Sequence, residues 1–71
     1  MTARAETPVL TPRLREVLSL VAEGYSTAEV ARELRLSRHT VKNYMERIFQ
    51  RLGARDRTEA VAIALREGIL E

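Results

Sequence analysis

The 71-residue chain has no cysteine and a single histidine, His39. The first absence excludes disulfide frameworks, thiolate zinc sites and thiol catalysis. The second excludes a multi-histidine metal centre. No apolar run approaches the roughly 20 residues that a membrane-spanning helix needs. Residues 1–8 also lack the apolar core of a signal peptide. A cytoplasmic protein is therefore expected, with no membrane, metal or cofactor. There is no glycine-rich phosphate loop, no nucleophile–base constellation and no carboxylate pair with a plausible pocket, so an enzyme is not expected. Lysine is scarce as well: eleven of the twelve basic residues are arginine, and Lys42 stands alone. That bias fits a GC-rich genome and carries no functional reading.

What is present is an uneven charge distribution. The net charge is only +2. Residues 1–34 hold four basic and five acidic residues, and residues 58–71 hold one and three. Between Arg35 and Arg57 there are seven basic residues against two acidic ones. A basic stretch of this kind is the electrostatic footprint of a polyanion binder, or else a solvated helix face. A chain this short buries only about 60% of its unfolded surface. Small scaffolds of this size often lean on a partner subunit.

Capping and periodicity predict an all-α fold of four helices. Residues 1–9 form a loose, flexible lead-in, and residues 10–71 form the domain. Thr11 is a good N-cap and Pro12 suits the first helical position. Leu14, Val17, Leu18 and Val21 then mark one buried face, and Gly24 ends the helix. Ser26-Thr27-Ala28-Glu29 is a capping box opening a second helix of about eight residues, with Ala28, Val30, Ala31 and Leu34 turned inward. Leu36 points into the core from a short turn, and Ser37 caps a third helix over about 38–52. Its buried stripe is Val41, Tyr44 or Met45, Ile48, Phe49 and Leu52, and Gly53 closes it. Asp56-Arg57-Thr58-Glu59 opens a fourth helix over about 57–67, ended by Gly68, after which Ile69 and Leu70 fold back. Ala60, Val61, Ala64 and Leu65 form one arc of it, with Ala62 and Ile63 outside. A helix apolar on more than one face is deeply buried or meets another chain; in so small a domain a partner helix is the economical reading.

The second and third helices, joined by a tight turn, have the shape of a helix-turn-helix over about residues 26–45. In DNA-binding versions the second helix of the pair enters the major groove. Lys42, Asn43 and Glu46 share one face of that helix. Lysine reaches guanine, asparagine pairs with adenine, and glutamate accepts from cytosine. Thr27, Ser37 and Thr40 are short hydroxyls near helix N-termini, where phosphate oxygens are favoured. Arg38 and Arg47, with Arg51, flank the face as phosphate contacts, which fix register without reading bases. A plainer reading stands beside this one. Ser26 and Ser37 serve as caps alone, His39 is a surface residue, and Glu46 pairs with its neighbours Arg47 or Gln50, or with Lys42 one turn back.

The segment from Leu10 to Leu70 resembles the DNA-binding domain of the LuxR/FixJ/NarL family of bacterial transcription regulators. The resemblance rests on Leu10-Thr11 with Arg13, Val21-Ala22-Glu23-Gly24, Ser37 with Thr40-Val41-Lys42, and Leu52-Gly53-Ala54 with Arg57 and Glu59-Ala60-Val61. It implies a four-helix bundle that binds double-stranded DNA. Lys42, Asn43 and Glu46 would face bases, and Thr27, Ser37, Arg38, Thr40 and Arg47 would face the backbone. It also implies a homodimer through the fourth helix, with Ala62, Ile63 and Arg66 at the interface. The chain departs from the family pattern at Leu14, where glutamate is common, so the first helix lacks a capping box. It departs again at Thr27, Tyr44 and Glu46, where asparagine, histidine and a basic or polar residue are common. Most relatives carry a further N-terminal domain. The start at Met1-Thr2-Ala3 favours a stand-alone regulator over a fragment. The competing function is a protein-interaction module that docks on RNA polymerase or another regulator and binds DNA weakly.

Overall fold

The structure, a computed structural model, describes residues 9–70. The described residues contain four α-helices and no strand: α1 (Pro12–Ala22), α2 (Thr27–Leu34), α3 (Arg38–Leu52) and α4 (Arg57–Arg66). The all-α class and the order of elements are as the patterning predicts. The expected flexible lead-in falls almost wholly outside the described residues. Only Val9 of it is seen, where its carbonyl accepts from Arg51 Nη1 at 3.2 Å.

Each helix starts at a side-chain cap, because the first turn of a helix leaves backbone N–H groups without partners. Thr11 Oγ1 accepts from the Leu14 amide at 3.2 Å. Ser26 and Glu29 form the complete reciprocal box, at 3.1 and 2.8 Å. Ser37 Oγ accepts from the Thr40 amide at 3.0 Å, and Asp56 Oδ1 from the Glu59 amide at 2.9 Å. At α4 the box is displaced by one residue. The Glu59 carboxylate reaches past Asp56 and accepts from the Arg55 amide at 2.7 Å. The end of α1 is a Schellman turn, with Tyr25 N–H donating to Leu20 C=O and Gly24 N–H to Val21 C=O. Gly24 sits at φ +101°, which its missing Cβ permits.

The end of α2 differs in kind. It closes through the same 6→1 bond, Leu36 N–H to Ala31 C=O at 2.8 Å, but the left-handed residue is Arg35, at φ 58° and ψ 47°. Arg35 is the sole non-glycine residue with positive φ among the described residues. The turn therefore carries a steric cost of about 1–2 kcal/mol that a glycine would avoid.

Helix α3 packs against α1, α2 and α4, whereas the backbones of α2 and α4 stay apart. The core holds Leu10, Leu14, Val17, Leu18 and Val21 from the α1 side, Val30 and Ala31 from α2, and Val41, Met45 and Ile48 from α3. Ala60, Ala64 and Leu70 complete it. Met45 fills the position for which Tyr44 and Met45 competed, and Tyr44 is half-buried. Leu36 is half-buried against the core, and Leu70 folds back as expected.

The arc expected on α4 needs correcting. Ala60 and Ala64 are its buried centre, flanked by half-buried Val61 and Ile63, and Leu65 is 51% exposed. The two alanines select this face, because small side chains at the contact let α4 lie close to α1 and α3. Leu65, about 100° round from Ala64, is left facing outward.

Two predictions follow from the caps. Arg35→Gly relieves about 1–2 kcal/mol of left-handed strain and gives back about 0.5–1 kcal/mol in chain entropy. Its denaturation midpoint should therefore rise slightly, and that of Arg35→Val should fall. Glu29 and Glu59 are each held below the ordinary carboxylate value of 4.5, mainly by the backbone amides of Ser26 and Arg55 respectively. A depressed carboxylate contributes stability that is fully present above its unfolded pKa and is lost as pH falls through the folded value. The melting temperature should accordingly drop below about pH 4.5, and a Glu29→Gln/Glu59→Gln variant should show a shallower acid decline in a calorimetric pH series.

Candidate nucleic-acid interface

Because Val41, Met45 and Ile48 bury one side of α3, the opposite side is fixed outward. At about 100° per residue, His39, Lys42, Asn43, Glu46 and Gln50 occupy one continuous arc. All five are exposed. Arg47 and Thr40 border the arc on the side of Asn43, and Arg38 borders it on the side of Lys42. The structure thus brings the three candidate base-facing residues onto a single face, with Arg38 and Arg47 on its two margins. None of Lys42, Glu46, Arg38 and Arg47 takes part in an ion pair among the described residues. Their charges remain available to a partner, and the Lys42–Glu46 pair that the plainer reading allowed does not form.

The hydroxyls divide into different roles. Ser37 Oγ accepts the Thr40 amide and also donates to Thr40 Oγ1 at 2.9 Å. Its one proton is thereby spent inside the cap. Thr40, half-buried beside it, keeps a proton to donate. Thr27, the first residue of α2, accepts through Oγ1 from Arg57 Nη2 at 3.2 Å. The candidate backbone donors left with a free proton are therefore Thr27 and Thr40, and Ser37 acts as the cap that orients Thr40.

Thr27 does not stand apart from the α3 face. A groove of about 380 Å³ is lined by Thr27, Lys42, Glu46 and Phe49 together with Arg55 and Arg57. The charge here is mixed, since Asp56 and Glu46 also border it. Arg55 and Arg57 were not singled out as site residues by sequence reasoning. Both stand at the end of the basic stretch, and Arg57 is also among the residues that carry the family resemblance, but its placement depends on a contact 30 residues away in sequence. Arg51, an expected phosphate contact, donates instead to the Val9 carbonyl.

The expected dimer residues lie together on the outer side of α4. Ala62 and Arg66 are exposed and Ile63 is half-buried. Leu65 lies next to Ala62 round the helix and extends the apolar surface. The described residues contain no cluster able to hold a metal ion and no helix long and apolar enough to cross a membrane.

Comparison with known proteins agrees with this geometry. The family of bacterial regulatory proteins designated luxR matches residues 8–64. The chain is 44% identical over 64 residues to the probable transcriptional regulatory protein NarL of Mycobacterium tuberculosis, a match covering 90% of this chain and 30% of that protein. It is 44% identical over 64 residues to the spore germination protein GerE of Bacillus subtilis, covering 90% of this chain and 86% of that one. It is 41% identical over 64 residues to the transcriptional regulatory protein DesR of Bacillus subtilis, of which it spans 32%. Among solved structures, that of the transcription factor GerE superposes with a TM-score of 0.85 at 36% identity, covering 90% of this chain and 96% of the other. The chain spans about a third of the length of NarL and DesR and most of the length of GerE. These relatives are transcription regulators, not enzymes.

Proposed function

The chain belongs to the luxR family of bacterial regulatory proteins, and we propose that it binds double-stranded DNA sequence-specifically, as a homodimer, to regulate transcription in the cytoplasm. The observation that carries this reading is the outer face of α3: Lys42, Asn43 and Glu46 exposed together, opposite a buried stripe that fixes their direction. A major groove admits a helix, and each base pair presents its own donor–acceptor pattern there. Lys42 and Asn43 supply donors for purine edges. Glu46 supplies an acceptor for cytosine N4 and repels misplaced phosphates. Arg38 and Arg47 lie on the margins of that face, where the two strands' phosphates would run. Thr27 and Thr40 donate to the backbone from the starts of α2 and α3.

Two copies pair through α4, with Ala62, Ile63 and Arg66 facing the partner and Leu65 adding apolar area. A two-fold axis there sets two α3 helices against half-sites about one helical turn, ~34 Å, apart. The test is selection of bound duplexes from a random pool by the purified chain at moderate salt. Enrichment of an inverted repeat is expected. Retention of unenriched DNA would leave backbone binding alone, and retention of none would move the assignment to a module that docks on RNA polymerase or another regulator.

The two classes of α3 residue should behave differently on the enriched duplex. Asn43→Ala should cost about 1–3 kcal/mol and relax base preference at one position per half-site. Arg47→Ala should weaken all sequences evenly and reduce the salt slope by about one. Equal, sequence-independent losses in both variants would refute the division. Leu65→Glu places a charge on the pairing face of α4; sedimentation should show a shift toward monomer, with cooperative binding to the paired half-sites lost.

A further inference from the structure

Arg57 is the first residue of α4, yet its guanidinium reaches the start of α2. Nη1 donates to the Tyr25 carbonyl at 3.3 Å and Nη2 to Thr27 Oγ1 at 3.2 Å. Helices α2 and α4 do not pack against each other, and the Arg57–Thr27 bond is the one side-chain hydrogen bond between them among the described residues. A threonine hydroxyl has one proton and two acceptor lone pairs. With one lone pair filled by an Arg57 N–H, the proton of Thr27 cannot point at the guanidinium. It is left free for another acceptor, and Thr27 lines the open groove that Lys42 also borders. The carboxylates bordering the groove, Asp56 and Glu46, form no ion pair with Arg57, and Glu59 pairs with Arg55. The fork of Arg57 is committed to Tyr25 and Thr27.

We infer that Arg57 is a positioning residue for DNA binding: it holds the Thr27 hydroxyl in the orientation that donates to a backbone phosphate, and so ties the register of the DNA-reading pair to the helix that forms the dimer. The inference rests on the reading of Thr27 as a phosphate contact. A lysine would keep the charge, but a single ammonium cannot reproduce a planar fork that spans two acceptors. Charge and geometry are therefore separable by experiment.

Affinity for a fixed duplex of about two helical turns is measured across a salt series for wild type, Thr27→Val, Arg57→Lys and the double variant, with thermal midpoints on the same samples. Thr27→Val and Arg57→Lys should each lower affinity by about three- to tenfold, the scale of one ordinary hydrogen bond exchanged with water. The double variant should bind no more weakly than Thr27→Val alone, and Thr27→Ser should bind as wild type does. A purely structural role for Arg57 would instead lower the midpoint and add its loss of affinity to that of Thr27→Val. Arg57→Gln provides the same comparison should the lysine variant fold poorly. Wild-type affinity in Arg57→Lys, or an equal loss in both Thr27 backgrounds, would overturn the inference while leaving the Thr27 contact standing. Wild-type affinity in Thr27→Val would overturn both together.

Discussion

The burial of one side of α3 is the constraint on which the rest depends. It is the longest helix, and it packs against all three others. Val41, Met45 and Ile48 sit three and four residues apart, and all three are buried. A helix held on one side by interior packing has no rotational freedom left, because a turn about its axis would expose those side chains and open voids beneath them. Lys42, Asn43 and Glu46 therefore point outward as a consequence of where the methionine and the aliphatics point inward. Specific recognition needs side chains held within a fraction of an ångström of the right place, and here the core supplies that rigidity directly.

The caps explain how so small a core suffices. Helices of eight to fifteen residues are marginal in isolation. Side-chain acceptors at Thr11, Ser26, Ser37 and Asp56 satisfy amides that would otherwise face solvent or protein without partners. Each such cap contributes about 1 kcal/mol. The same devices shape the interface. Ser37, by spending its proton on Thr40, leaves Thr40 as the donor at the start of α3. Capping and ligand presentation are here one arrangement of hydrogen bonds.

Whatever depends on neighbours within about four residues was legible in the chain. The capping boxes, the terminal glycines and the stripe on α3 are local patterns, and the helix bounds follow from them. The shared exposed face of Lys42, Asn43 and Glu46 was legible for the same reason, since they lie within five positions of one another. Three features were not legible, and each depends on something outside its own segment. Arg35 is left-handed because the path from α2 to α3 requires it, while arginine signals no such turn. Leu65 faces outward because Ala60 and Ala64 fit the surface that α1 and α3 present, and periodicity within α4 could not choose between two apolar arcs. Arg57 reaches Thr27 across 30 residues, with nothing in either segment to announce the pairing.

Charge behaves in the same way. The whole chain is only slightly basic, so affinity for a polyanion cannot come from a uniform field. It has to come from placement. Arg38 and Arg47 border the α3 face and Lys42 stands on it, while the acidic residues Glu29 and Glu59 are engaged at helix starts. Those two carboxylates are thus held by amides, and Glu59 is also paired with the Arg55 guanidinium. Glu46 is the exception: it is unpaired and stands in the middle of the exposed α3 face. A carboxylate there lowers affinity for phosphate wherever the helix sits out of register and is compensated only where a base-edge donor meets it. In the proposed reading, its cost in non-specific binding would make it useful for discrimination, because specificity is the difference between right and wrong partners and not the strength of either one.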